Sequence, residues 1–337
     1  MKRLIAEFEP QTFTQIIFPH KETDWSPYLQ DAQRCFCNII NAIIEFQACL
    51  VVCADIEEVQ SFFKPHPNLF FTKFVTDDTW ARDCSALSVE ENNKVVLYDF
   101  VFNAWGDKFG ASQDNLLTKH LAHCYDAPLR SLDFVLEGGS IESNGKGLLL
   151  STSKCIYNTN RNPQLNTQQR DQILKDSLGL KEILYLHHGY LAGDDTDAHI
   201  DTLARFINHD TICYVQCHDT EDIHYEELHK MEQELKQIAQ KHQLKLVPLP
   251  MCSALFYEQE RLPATYANFL FVNGGILLPL YGVKEDEEAL SIFQKTFPER
   301  KVVGIDCSVL VRQHGSLHCV TMNFHAPLKL ERCLDRE

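Results

Sequence analysis

The chain is short of positive charge and of long apolar runs. Its 337 residues include 31 lysines and arginines against 47 aspartates and glutamates, a formal net charge of −16. A nucleic-acid binder neutralises phosphates with clustered Lys and Arg, so this balance argues against that class. It suits a cationic small molecule, and equally an ordinary soluble surface. No run reaches the roughly 18 apolar residues of a membrane span. In the first ten residues Glu7 and Glu9 interrupt the segment after the basic pair Lys2-Arg3, so no signal-peptide apolar segment is read there. No stretch rich in Pro, Ser or Gly divides the sequence, which predicts one catalytic-size unit over residues 1–337. With no export signal, the 13 cysteines are expected as reduced thiols in the cytoplasm, and their odd number fits that.

What is present is an alternation of strand-like and helix-like segments. Asp24-Trp25-Ser26-Pro27 predicts a helix start, with a capping side chain before a proline in the first turn. That helix is expected to run to about Gln47. Strands are read at 48–54, 69–75, 95–102, 147–152, 183–186, 211–217, 245–249, 269–280, 301–306 and 317–324. Amphipathic helices are read at 112–123, 166–178, 225–242 and 285–297. A Gly-Gly pair precedes an apolar strand twice, at 138–139 and 274–275, which is common turn chemistry and too little to define a repeat.

Three stretches concentrate acid, imidazole and thiol groups: Asp77 to Asp83, Gly193 to Asp201, and Arg312 to Thr321. The second is not an EF-hand-type calcium loop. Counted from Asp195, the positions that need Gly and Glu hold Ile200 and Phe206. If extended, His199-Ile200-Asp201 places an imidazole and a carboxylate on one face. In the third stretch Cys319 comes after a Gly-Ser turn flanked by histidines, which sets it apart from the other cysteines as a candidate nucleophile. The rival reading is zinc on His314, His318 and Cys319, although the Gly-Ser turn breaks the helical spacing and no fourth ligand is defined.

Trp80-Ala-Arg-Asp83, Glu137-Gly-Gly-Ser-Ile-Glu142, His199-Ile-Asp201 and Gly315-Ser-Leu-His-Cys319-Val-Thr321, taken in order, resemble the signature of the agmatine deiminases. Asn103-Ala-Trp-Gly106, Asn160-Arg-Asn-Pro163 and Leu262-Pro-Ala-Thr-Tyr-Ala-Asn268 have the same look, so the likeness spans about residues 10–325. It implies an α/β fold, a five-bladed, pentein-like propeller of ββαβ modules around a central channel. It implies Cys319 as nucleophile, His199 as general acid and base, and Asp83 and Asp201 as the grip on a guanidinium. Trp80, Glu137 and Asp195 are implied substrate contacts, Trp80 by cation–π attraction, while Arg82 is read as balancing nearby carboxylates. The implied reaction is hydrolysis of agmatine to N-carbamoylputrescine and ammonia, a step towards putrescine, with no metal or organic cofactor. Peptidylarginine or free arginine is the alternative substrate, a silent metal- or polyamine-binding propeller the alternative class, and a homodimer the implied assembly. One departure stands out. Cys84-Ser85 occupies the place of a Gly-containing pair in many relatives, which predicts local strain if that glycine has positive φ.

Overall fold

A short hairpin followed by a helix and a parallel third strand recurs around the molecule. The computed structural model describes residues 2–325 and Leu330. Four of the units are consecutive in the chain. The first joins Leu87–Glu91, Lys94–Val101 and Leu129–Val135, and the second Ile141–Ser143, Leu148–Thr152 and Glu182–Leu186. The third joins Ala204–Asn208, Thr211–Gln216 and Lys245–Pro250, and the fourth Leu270–Val272, Gly275–Leu280 and Lys301–Asp306. In each, the first two strands are antiparallel and the third returns parallel to the second after a helical crossover.

The fifth unit closes the ring. Thr321–His325, near the end of the described chain, pairs antiparallel with Gln11–Ile17, which is followed in parallel by Ala48–Cys53 and Leu69–Lys73. This is a five-bladed α/β propeller, and its blades match the expected module. Lys2–Leu4 pairs antiparallel with the free edge of Leu87–Glu91, and a small hairpin, Phe256–Tyr257 with Glu260–Arg261, forms a sheet of its own.

Local chemistry explains these elements. The helix Leu29–Ile44 places Ala32, Cys35, Phe36, Ile39, Ile40 and Ile43 at three- and four-residue spacing, and all are buried. Central strands such as Ala48–Cys53 are covered on both faces and read as unbroken apolar runs. The hairpin at Asn92-Asn93 turns with φ of 51° and 64°, the left-handed conformation that asparagine tolerates better than most residues.

Several expectations are corrected. The stretch 269–280 is two strands turning at Gly274 (φ 72°), not one. The strand expected at 317 begins at Thr321, because residues 317–320 form a turn. The segment 112–123 is broken into short helical turns, and the first long helix ends at Ile44, before Gln47. Its entry has Pro27 in a 3₁₀ turn at Ser26–Tyr28, but Asp24 makes no capping bond. Cys84 carries no strain: it closes the helical turn Ala81–Cys84, and Ser85 has φ −99°. Among the described residues twelve cysteines are free thiols, while Cys333 lies outside them. No helix among the described residues is long and apolar enough to cross a membrane.

Candidate active site

Each blade begins with a short strand near the axis, and the segment just before that strand carries the chemistry. Trp80 to Asp83 precede Leu87–Glu91, Glu137 to Ser140 precede Ile141–Ser143, and His199 to Thr202 precede Ala204–Asn208. Asn268 precedes Leu270–Val272, and Cys319 precedes Thr321–His325. Stretches far apart in sequence thus meet because the same place in each blade faces the same cavity.

That cavity has a volume of about 460 Å³. Among the described residues its lining includes eight aspartates, at positions 24, 77, 78, 83, 114, 194, 195 and 201, with His199, His314, Trp80, Trp105 and Cys319, and no Lys or Arg. Of the residues singled out from sequence, Cys319, His199, Asp83, Asp201, Trp80 and Asp195 all line it. Glu137 does not. It is buried and paired with Arg161, whose Nε lies 2.7 Å from Glu137 Oε1.

Asp83 Oδ1 accepts the Gly139 amide at 2.8 Å, and its Oδ2 accepts Trp105 Nε1 at 3.0 Å. His199 Nδ1 lies 3.7 Å from Asp83 Oδ1, and His199 Nε2 is buried without a hydrogen-bond partner among the described residues. The 199–202 segment is a 3₁₀ turn, not the extended run expected, yet both His199 and Asp201 reach the cavity. Asp201 Oδ2 accepts His318 Nδ1 at 2.7 Å, while its buried Oδ1 has no such partner. Trp80 donates its indole N–H to Asp78 at 3.0 Å and packs its ring against Gly315, where any Cβ would come within 2.1 Å.

Asn268 is the member of the site to which sequence reading assigned no role. Its Oδ1 accepts the amides of His318 (2.8 Å) and Cys319 (3.3 Å), and its Nδ2 lies 3.3 Å from Cys319 Sγ. The signal available was its place in the segment that opens the fourth blade. Arg82 is turned away from the cavity, bonded to Asn323 at 2.7 Å and 3.7 Å from Glu7, which agrees with a charge-balancing role.

Burial and neighbouring charge set the ionisation of these groups. Cys319 is pushed well above the usual thiol range by burial, with Asp201 and Asp83 adding to the push. Burial also raises Asp83, partly offset by His199. Burial disfavours the charged form of His199, but Asp83, Cys155 and Glu137 together outweigh it and hold the imidazole well above its ordinary value. In Asp201 burial raises the carboxyl, but the His318 hydrogen bond and the positive charges of His318, His199 and Arg205 together outweigh it, so the carboxyl sits low. Burial lifts Asp78 and Asp114 to about 7 and Asp195 to about 6.

The zinc reading does not survive this geometry. His314 Nδ1 is bonded to the Gly193 carbonyl, and both nitrogens of His318 face carboxylates behind the cavity. Two other acid, thiol or imidazole clusters lie within ligating distance among the described residues, Glu137–Cys155–His199 and Glu7–Glu142–His318. Arginines already hold the acids in both, Arg161 in the first and Arg205 in the second. A metal ion there would meet a guanidinium beside its ligands.

Comparisons with known proteins converge on one family. The chain is 31% identical to the agmatine deiminase of Stutzerimonas stutzeri, covering 96% of this chain and 95% of that one. The structure of a C. jejuni agmatine deiminase variant with substrate bound superposes with a TM-score of 0.92 at 41% identity, covering 96% of both chains. The agmatine deiminase of Enterococcus faecalis superposes with a TM-score of 0.89 at 28% identity, again over 96% of both. The profile of the Porphyromonas-type peptidyl-arginine deiminases matches residues 3–324, and the chain belongs to that family.

Proposed function

We infer that this chain is an agmatine deiminase. The observation that carries the reading is the cavity, whose described lining offers eight aspartates and no Lys or Arg, and reaches Cys319. Agmatine is a four-carbon chain with a guanidinium at one end and an ammonium at the other. Free arginine adds a carboxylate, which this lining would repel and has no cation to bind.

In this reading the guanidinium lies between Asp83 and Asp201, whose paired N–H···O contacts fix its plane and leave one face to Cys319. Seating a cation between the two carboxylates cancels much of the field that holds Cys319 as a thiol, so its proton passes to water as substrate binds. The thiolate then adds to the guanidinium carbon. His199, charged beside Asp83, gives its proton to one terminal nitrogen, the C–N bond breaks and ammonia leaves. An amidino-thioether remains on Cys319. Neutral His199 next takes one proton from water as the oxygen adds to the same carbon; the adduct's hydroxyl proton passes to the departing sulfur as the C–S bond breaks, giving N-carbamoylputrescine and the Cys319 thiol. The side-chain amide of Asn268, 3.3 Å from Sγ, holds the sulfur in line and supports its charge. No step needs a metal or organic cofactor. Trp80 and Asp195 line the path to the guanidinium end, while Glu137 acts from behind His199 through its ion pair with Arg161. A single-domain cytoplasmic enzyme, working as a homodimer, completes the proposal.

The test is ammonia release from agmatine, free arginine and an arginyl peptide, with Cys319→Ala as control. Turnover of agmatine alone, lost in the variant, is the expected result. Preference for arginine or the peptide would overturn the substrate, and undiminished activity without Cys319 would overturn the mechanism.

A further inference from the structure

Behind the cavity floor lies a buried set of charges that joins Asp201 to groups the reaction scheme does not use. Its centre is His318. Nδ1 is 2.7 Å from Asp201 Oδ2 and Nε2 is 2.6 Å from Glu7 Oε2, and both contacts are shielded from water. A neutral imidazole has one N–H and could satisfy only one of two carboxylates, leaving a lone pair against the other oxygen. Glu7 in turn holds Arg205 Nη2 at 2.7 Å and stands 3.7 Å from Arg82, while Arg205 also pairs with Glu142. Asp201, Glu7 and Glu142 thus face two guanidiniums. A protonated His318 makes this buried set neutral, whereas a neutral one leaves an uncompensated charge where it costs most.

We propose that His318 is a positioning residue, an imidazolium clamped between Glu7 and Asp201 that keeps Asp201 ionised and turns its unpaired oxygen towards the guanidinium. Glu7 comes from the segment before Gln11–Ile17 and lines a small cavity on the far side of the axis, with Arg82, Glu142 and His318. The clamp therefore ties one arm of the substrate grip to the opposite face of the ring. Its geometry is fixed independently of substrate, because the His318 amide is anchored on Asn268 Oδ1 at 2.8 Å and the Glu7 Oε1 accepts the Phe271 amide at 3.0 Å. The clamp's effect on turnover rests on the deiminase reading, but its charge state does not.

Two measurements test it. The ratio of kcat/KM for His318→Gln to that of the unaltered enzyme is followed from pH 5 to 9. The glutamine side chain carries no charge, so Asp201 should take up a proton at a higher pH than in the unaltered enzyme. The ratio is expected to be at least about threefold lower at pH 5 than at pH 8. A loss that is the same at every pH would mean that His318 only shapes the turn, and would overturn the proposal. Should the variant fail to fold, nitrogen-15 NMR of the histidine-labelled, unaltered protein decides. The expected result is a His318 ring with both nitrogens protonated, as a carboxylate facing each nitrogen requires. A neutral tautomer at pH 7 would sink the clamp. That spectrum needs no turnover, so inactivity towards agmatine would fell the function above without touching this reading.

Discussion

His199 Nδ1 lies 3.7 Å from Asp83 Oδ1, and the alpha carbon of Gly139 fills the space beside them. A methyl group on Gly139 would meet His199 Nδ1 at 2.7 Å, Asp83 Oδ1 at 2.9 Å and Asp201 Oδ2 at 3.1 Å. The residue is glycine because three functional groups from two other blades close around its backbone, while its amide donates to Asp83 at 2.8 Å.

Gly139→Ala should therefore separate folding from turnover. The methyl must push the acid–base pair and the guanidinium grip apart by a few tenths of an ångström or more; since a misplacement of about 1 Å costs roughly a hundredfold, kcat/KM should fall about tenfold to a hundredfold. The blade's strands do not depend on that space, so the melting temperature should fall by only a few degrees. Steady-state kinetics and thermal unfolding of the same preparation check this. Near-normal turnover would show that the three groups are not required at these separations.

The state of Cys319 gives a second prediction. Burial and the carboxylates of Asp201 and Asp83 hold it as a thiol in the empty site. Neutral iodoacetamide should label Cys319 slowly at pH 7, with a rate that keeps climbing through pH 9. A plateau reached below pH 7 would mean that His199 already holds a thiolate in the free enzyme, and substrate-triggered ionisation would be wrong.

Two carboxyls of the cavity lining are pushed up towards neutrality. Burial puts Asp78 and Asp114 at about 7, against the amide hydrogen bonds that each accepts. Both carboxyls are neutral below that value and charged above it, so the pull on a dication strengthens as pH rises. KM for agmatine should fall roughly threefold to tenfold between pH 6 and 8, as expected for two partly screened charges. Asp114→Asn should flatten that dependence. A KM that stays constant across the range would place both carboxyls outside the substrate's field.

Legibility followed burial. The strands that the sequence revealed, such as 48–53 and 211–216, are buried on both faces and read as apolar runs. Three of those it hid are first strands of blades, Leu87–Glu91, Ile141–Ser143 and Ala204–Asn208, where the buried polar Ser88, Glu142 and Arg205 interrupt the apolar pattern. Lys2–Leu4, Gln11–Ile17 and Leu129–Val135 are hidden as well, being short or mixed in polarity. Likewise Cys319, His199, Asp83 and Asp201 stand out through ordered motifs, whereas Asn268 has no chemistry that marks an asparagine in advance. Its role exists only because the fourth blade sets it 3.3 Å from a sulfur that lies 51 residues later. Glu137 shows the converse: its motif is legible, but Arg161, which takes its carboxylate, is not foreseeable from spacing.

Cys84 offers a final prediction because it reverses an expectation drawn from relatives. Glycine at this position in many of them suggests a left-handed turn, in which a cysteine would be strained. Here Cys84 is the last residue of a helical turn, buried, with its thiol 3.5 Å from the Trp80 carbonyl, and the next residue is extended. Cys84→Gly then relieves nothing. It adds about 0.5–1 kcal/mol of backbone entropy cost in the helical turn. It also leaves a cavity where the thiol was, for a further cost of about 1–2 kcal/mol. The melting temperature should drop by several degrees. Because Asp83 sits in the same turn, kcat/KM should fall with it, well below that of an exposed control such as Lys21→Ser. If Cys84→Gly instead matched or exceeded the parent in stability, the turn would be free to adopt the left-handed form, and the conformation of the segment that carries Asp83 would have to be redrawn.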